Sequence, residues 1–132
     1  MADTIPTVHL HLGHDQRTTG SGGTRDHIHP VTGDVLARIP LAGPAEVEEA
    51  VAKAAAAQEA WRNFAPEARR DMLFRLADLV EAKTAEFARM AALDGGTPLI
   101  QGERGVGIAV AWTRYYAGWC DKLTGELMST FQ

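Results

Sequence analysis

The residues best suited to chemistry are crowded at the start of the chain. All five histidines, His9, His11, His14, His27 and His29, precede residue 30. His9 and His11 alternate with Val8, Leu10 and Leu12, so they share one face of a strand, and His27 and His29 share a face of a second strand. Folded back as a hairpin, the two pairs would offer imidazole nitrogens to a zinc ion. The competing reading is that solvent-facing strand positions simply are His, since zinc sites usually carry tighter spacing or cysteines. The single cysteine, Cys120, lies between Trp119 and Asp121 with no histidine near in sequence. A reactive thiol needs a base or a positive field, and an adjacent acid opposes thiolate formation. Cys120 therefore reads as a small packing residue.

The other candidates are weaker. Thr19-Gly20-Ser21-Gly22-Gly23 could offer backbone N–H groups to a phosphate. Neither a Gly-Lys-Ser/Thr nor a helix start follows it, so it reads as a hairpin turn. Gly102, Gly105 and Gly107 reverse the dinucleotide-binding order and follow a helix start rather than a strand. Trp112, Tyr115, Tyr116 and Trp119 share one helix face. With Arg114 they could stack bases, but an acidic chain without a basic stripe favours a buried anchoring face. Glu48 and Glu49 are helical neighbours that point in different directions, a solvated surface rather than an acid–base pair.

Positioning falls to a chain of 132 residues, enough for one modest core. A net charge of −4 opposes a nucleic-acid partner, because phosphate contacts need excess Lys and Arg. No stretch has the length of a membrane span, the N-terminus lacks a signal-peptide pattern, and one cysteine excludes an internal disulfide. The cytoplasm is the expected compartment. The expected fold is α/β: an N-terminal β-hairpin and a short strand, then four helices, in one partial domain over residues 1–132.

Within it, residues 1–40 are the β-rich lead. Val8–Leu12 should pair with Asp26–His29, the stretch Thr18–Thr24 should be a flexible turn, and Val35–Ile39 should be a strand closed by Pro40. Residues 44–95 are helical, with Pro44 and Pro66 in first turns and Glu46 at a positive helix end. Val47, Ala50, Val51, Ala54 and Trp61 form one apolar face, and Met72, Leu73, Leu76, Leu79 and Val80 another. Thr84 should cap a third helix that stops at Gly95-Gly96. A long helix over 97–121 should start with Thr97 as cap, its glycines permitting close approach of another backbone, and a tail occupies 122–132.

Several words are more specific than these patterns. His29-Pro30-Val31-Thr32-Gly33-Asp34 resembles the Asn-Pro-x-Thr-Gly-Glu signature near the start of aldehyde dehydrogenases. Ala60-Trp61-Arg62 and the run Arg75 to Glu81 resemble that family's first two helices, and Leu93-Asp94-Gly95-Gly96-Thr97-Pro98 its Leu-Asp-Asn-Gly-Lys-Pro turn. Arg114-Tyr115-Tyr116-Ala117-Gly118-Trp119-Cys120-Asp121-Lys122 is similar to its Arg-Tyr-Tyr-Ala-Gly-Trp-Ala-Asp-Lys. The match covers residues from about 27 to 126, departing with His29 for Asn, Gly96-Thr97 for Gly-Lys and Cys120 for Ala.

The resemblance implies an enzyme that oxidises an aldehyde to a carboxylic acid with NAD or NADP, as a homodimer or homotetramer when complete. In that family a cysteine nucleophile, a glutamate base, an oxyanion-hole asparagine and the nucleotide loop all lie downstream of Lys122. This chain is then expected to be an inactive N-terminal fragment without catalytic or cofactor-binding residues, whose partner is the rest of the enzyme chain. The resemblance also implies a monovalent-cation site with a backbone carbonyl at Ile28 and a carboxylate at Asp94, where the alternative is that Asp94 caps the glycine turn. Ile108, six positions before Arg114, would face the aldehyde in a substrate tunnel, with Trp112 one turn later. The reading from another class is a non-catalytic helical interaction module with the histidine hairpin as a metal site.

Overall fold

Short links decide how the β-rich lead pairs. The structure, a computed structural model, describes residues 7–125. Strand β1 (Leu10–Leu12) pairs antiparallel with β2 (Asp15–Arg17), Leu12 facing Asp15 across the link Gly13-His14. Gly13 turns the chain at φ 66°. Strand β3 (Thr24–Ile28) pairs antiparallel with β4 (Val35–Pro40), with an irregular register between His27 and Ile28. The expected pairing of Val8–Leu12 with Asp26–His29 does not form. Each strand takes its nearest sequence neighbour, since short loops cost the least closure entropy. Two hairpins replace one hairpin and a lone strand.

The stretch expected to be a flexible turn is packed tightly. Gly22 donates its N–H to the Leu41 carbonyl at 3.0 Å, and Leu41 donates to Gly23 at 2.9 Å. A Cβ on Gly20 would lie 2.2 Å from the Leu41 oxygen, so only glycine permits this approach. The Glu46 carboxylate fastens the junction, accepting the Gly43 N–H at 2.8 Å, the Ser21 N–H at 2.9 Å and the Ser21 hydroxyl at 2.5 Å. The Ser21 hydroxyl and then these backbone donors hold its pKa down at about 2.

Four helices follow: α1 (Pro44–Arg62), α2 (Pro66–Ala82), α3 (Thr84–Gly95) and α4 (Leu99–Ala117). Proline opens α1 and α2, where a missing N–H costs nothing. Two expected caps differ. The Thr84 hydroxyl donates back to the Glu81 carbonyl at 2.6 Å and is itself the first residue of α3. Pro98, not Thr97, precedes α4. Gly96, at φ 68°, ends α3 as expected, its N–H reaching the Ala92 carbonyl at 3.0 Å. The last helix stops at Ala117 and turns run on to Lys122; the tail beyond residue 125 lies outside the described residues.

Helix α4 packs against both α2 and α3. Ala77, Ala88, Val110 and Ala117 are buried at these contacts, and Gly102 admits α3 so closely that a Cβ there would sit 2.9 Å from Ala88 Cα. The inward face of α2 runs through Leu73, Ala77 and Val80, whereas Met72, Leu76 and Leu79 of the expected stripe stay exposed. Helix α1 buries no residue and leans on β1, leaving Val47, Val51 and Trp61 exposed. No described helix is long and apolar enough to cross a membrane.

Two outcomes follow from this packing. Gly102→Ala should cost about 1–3 kcal/mol by overpacking. Gly105→Ala, with nothing within 4 Å, should instead gain up to about 1 kcal/mol of helix propensity. Urea unfolding of both variants is the check, and equal effects would contradict the α3–α4 contact. The second outcome concerns acid. A carboxylate depressed to about 2 contributes stability that is present above the ordinary glutamate value and lost as pH falls from about 4.5 towards 2. The stability difference between the natural chain and Glu46→Gln should shrink across that window; a difference constant with pH would rule out the Ser21–Gly43–Glu46 linkage.

Candidate functional site

Of the region expected to ligate a cation, the structure brings His27, the residue before Ile28, against Asp94 at the end of α3. His27 Nε2 lies 2.9 Å from Asp94 Oδ1. The nitrogen is buried and has no hydrogen-bond partner of good alignment, so the two groups are close without a formed hydrogen bond. Ile28 follows at the register irregularity, opposite Val35. The β3–β4 turn is itself pressed on the α3 terminus, where a Cβ on Gly96 would be 3.3 Å from Pro30 Cγ. Left-handed Gly96 therefore lets the turn approach, and His27 lies against Asp94 at this junction. The Asp94 side chain is 71% exposed and faces His27.

The predicted tunnel residues occupy the outer face of α4. Ile108 is 61% exposed and Trp112 60%. Trp112 stacks obliquely on Tyr116 at 5.9 Å, Tyr116 meets Tyr115 edge-on at 5.2 Å, and Tyr115 meets Trp119 at 6.3 Å. The expected burial of these four aromatics is not found. The opposite face, carrying Gly102, Val110 and Ala117, is the one turned towards α2 and α3. An open groove of about 520 Å³ is lined by Ala111, Trp112, Tyr115 and Tyr116.

Arg114 fixes the orientation of that ridge. Its guanidinium donates to Asp78 at 2.8 Å and to Glu81 at 2.7 Å, both on α2. Hydrogen bonding to Glu81 and then Asp78 raises its pKa above the usual arginine value. Arg70 of α2 makes a second tie to Asp121, just past α4. The sequence by itself assigns Asp78 and Glu81 no role. Their spacing of three on one helix face was the available signal, but nothing local named their partner.

Other motifs do not assemble. With β1 paired to β2 and β3 to β4, the histidine pairs do not share a hairpin. Among the described residues no group of three or more His, Cys, Asp or Glu is placed to hold a metal ion. In the glycine loop the N–H groups of Ser21, Gly22 and Gly23 are already bonded, to Glu46, Leu41 and Gly20 respectively. Cys120 is half-buried, its sulfur 3.7 Å from the Tyr116 carbonyl.

The model of the aldehyde dehydrogenase family matches residues 17–132. The chain belongs to the aldehyde dehydrogenase family. Phenylacetaldehyde dehydrogenase of Pseudomonas fluorescens is 38% identical over 138 residues, a match covering 97% of this chain and 28% of that protein. A mutant aldehyde dehydrogenase of Bacillus cereus superposes with a TM-score of 0.81 at 31% identity, over 89% of this chain and 25% of that one. The crystal structure of PnpE in complex with nicotinamide adenine dinucleotide gives a TM-score of 0.88 at 30% identity, over 95% and 26%. The chain thus spans about a quarter of the length of these relatives. Its two hairpins and four helices are an N-terminal α/β portion of the aldehyde dehydrogenase fold, and the helical interaction module is the disfavoured reading. Because that family's pattern has alanine where this chain has Cys120, Cys120→Ala should leave the thermal midpoint within a degree or two (about 0.5 kcal/mol). A larger fall in a thermal melt would show that the thiol packs more than its weak contact with the Tyr116 carbonyl suggests.

Proposed function

We propose that this chain serves as the N-terminal structural portion of an enzyme that oxidises an aldehyde to a carboxylic acid with NAD+ or NADP+. The reading is carried by one observation: a match to aldehyde dehydrogenases in sequence over residues 17–132 and in fold over 95% of the chain. In the complete enzyme, a homodimer or homotetramer of the cytoplasm, the catalytic and cofactor-holding groups come from the remainder of the fold. This portion walls the path of the aldehyde and steadies the structure around it.

Two sites belong to that role. Ile108 and Trp112, on the outer face of α4, form an apolar wall of the substrate tunnel. Such a wall selects by shape, each methylene being worth about 1–3 kcal/mol in discrimination. Ile28, through its carbonyl, and Asp94 supply oxygen ligands to a monovalent cation, the hard-ion chemistry that oxygen donors suit. Support for the first is the large exposed apolar area of α4, which a single helix face in water would not keep without a covering partner. Support for the second is the junction of β3 with the α3 terminus.

The test uses an enzyme in which residues 1–132 are continued by the rest of the family fold. Ile108→Ala should change the ratio of kcat/KM between a bulky and a short aldehyde by about 10-fold. An equal fractional loss for both, with a lowered Tm, would mean that Ile108 only packs the fold. In the same enzyme Asp94→Ala should abolish the dependence of thermal stability on Na+ or K+; a dependence that survives intact rejects the cation site.

A further inference from the structure

Residues 7–17 cross the outside of the helical body and are held to α1 largely by charge. Leu12, 4% exposed, is their buried apolar anchor. Around it Lys53 of α1 donates to the Leu12 carbonyl at 3.1 Å and to Asp15 at 2.5 Å, and lies 2.8 Å from Glu49. Arg17 completes the cluster with a bond to Glu49 at 2.7 Å. The side-chain bond from Lys53 is the main cause that lowers the Asp15 and Glu49 pKa values, and the bond to Asp15 is the main cause that raises that of Lys53. Upstream, Val8, His9 and His11 line a groove of about 390 Å³ together with Met90, Ala91 and Asp94 of α3.

We propose that residues 7–17 form an ionically latched strap beside the C-terminal end of α3, with Lys53, Glu49, Asp15 and Arg17 as the latch and one wall of the groove at Asp94 as the part it holds in place. The physical basis is a difference in kind between the two sets of contacts. Exposed ion pairs weaken as the screening length falls from about 10 Å at 0.1 M salt to about 3 Å at 1 M. The apolar seams joining α2, α3 and α4 do not share that sensitivity. Rising ionic strength therefore loosens the strap before it loosens the body. Leu12 sets the closed state, and the latch is the part that solvent tunes. This rests on the geometry of the segment and holds whether or not the cation site at Asp94 is real.

The experiment is amide hydrogen exchange of the full 132-residue chain in about 0.02 M and about 1 M tetramethylammonium chloride, a cation too large for a small oxygen site. Amides of residues 8–17 should exchange about 3- to 10-fold faster at high salt, while those of α4 hold their rate. Lys53→Met should reach the fast rate already at low salt and lose the salt dependence, and Lys53→Arg should restore it. Unchanged exchange of residues 8–17 between the two salts, or acceleration of α4 in step with them, overturns the proposal. The salt comparison on the unaltered chain decides the matter even if Lys53→Met folds poorly.

Discussion

Helices α3 and α4 meet where neither can carry a large side chain. Gly102 faces Ala88 so closely that a methyl group would touch the opposing backbone, and Ala77 and Ala117 keep the α2–α4 contact equally thin. Close helix approach trades side-chain burial for dense backbone and small-residue contact, which is effective only when the fit is good. The consequence spreads along α4. Once its glycine and alanine face is committed inward, Ile108, Trp112, Tyr115, Tyr116 and Trp119 have to point outward. Arg114 then limits rotation of the helix, because its fork is shared between two acids on α2.

The same economy places the junction at Asp94. Gly96 can take a left-handed cap and carries no Cβ, so α3 ends abruptly and the β3–β4 turn settles on the stub. That settles β3 beside the last turn of α3 and puts His27 against Asp94. A side chain at Gly96 would meet Pro30 and push the turn away, separating His27 from Asp94.

The chain is held together differently at its two ends. From α2 to α4 small apolar residues are buried against one another, and ion pairs sit at the edges of that contact. From β1 to α1 the order is reversed: one buried leucine, then Lys53, Glu49, Asp15, Arg17 and the Glu46 clamp on Ser21 and Gly43. Apolar seams respond to temperature and denaturant, whereas exposed charge responds to salt and pH. The contact of β1 with α1 is accordingly the one that rests mostly on charge.

Much of this was written locally. Pro44, Pro66 and Gly96 mark helix boundaries through their own backbone restrictions, and the ordered words from His29 to Lys122 carry the family without any fold being known. What they could not carry was partnership. Strand periodicity assigns faces but not neighbours, so Val8–Leu12 was matched to the wrong strand until Gly13 closed a shorter loop. Helical periodicity likewise marks two apolar stripes on α4 without saying which is inward, and the bulkier, more hydrophobic one was the natural choice. Only the tertiary structure reverses it, because a glycine approach to Ala88 can be satisfied on one side alone. The identity of each element was thus set by its own residues, and its orientation by the residue it had to touch.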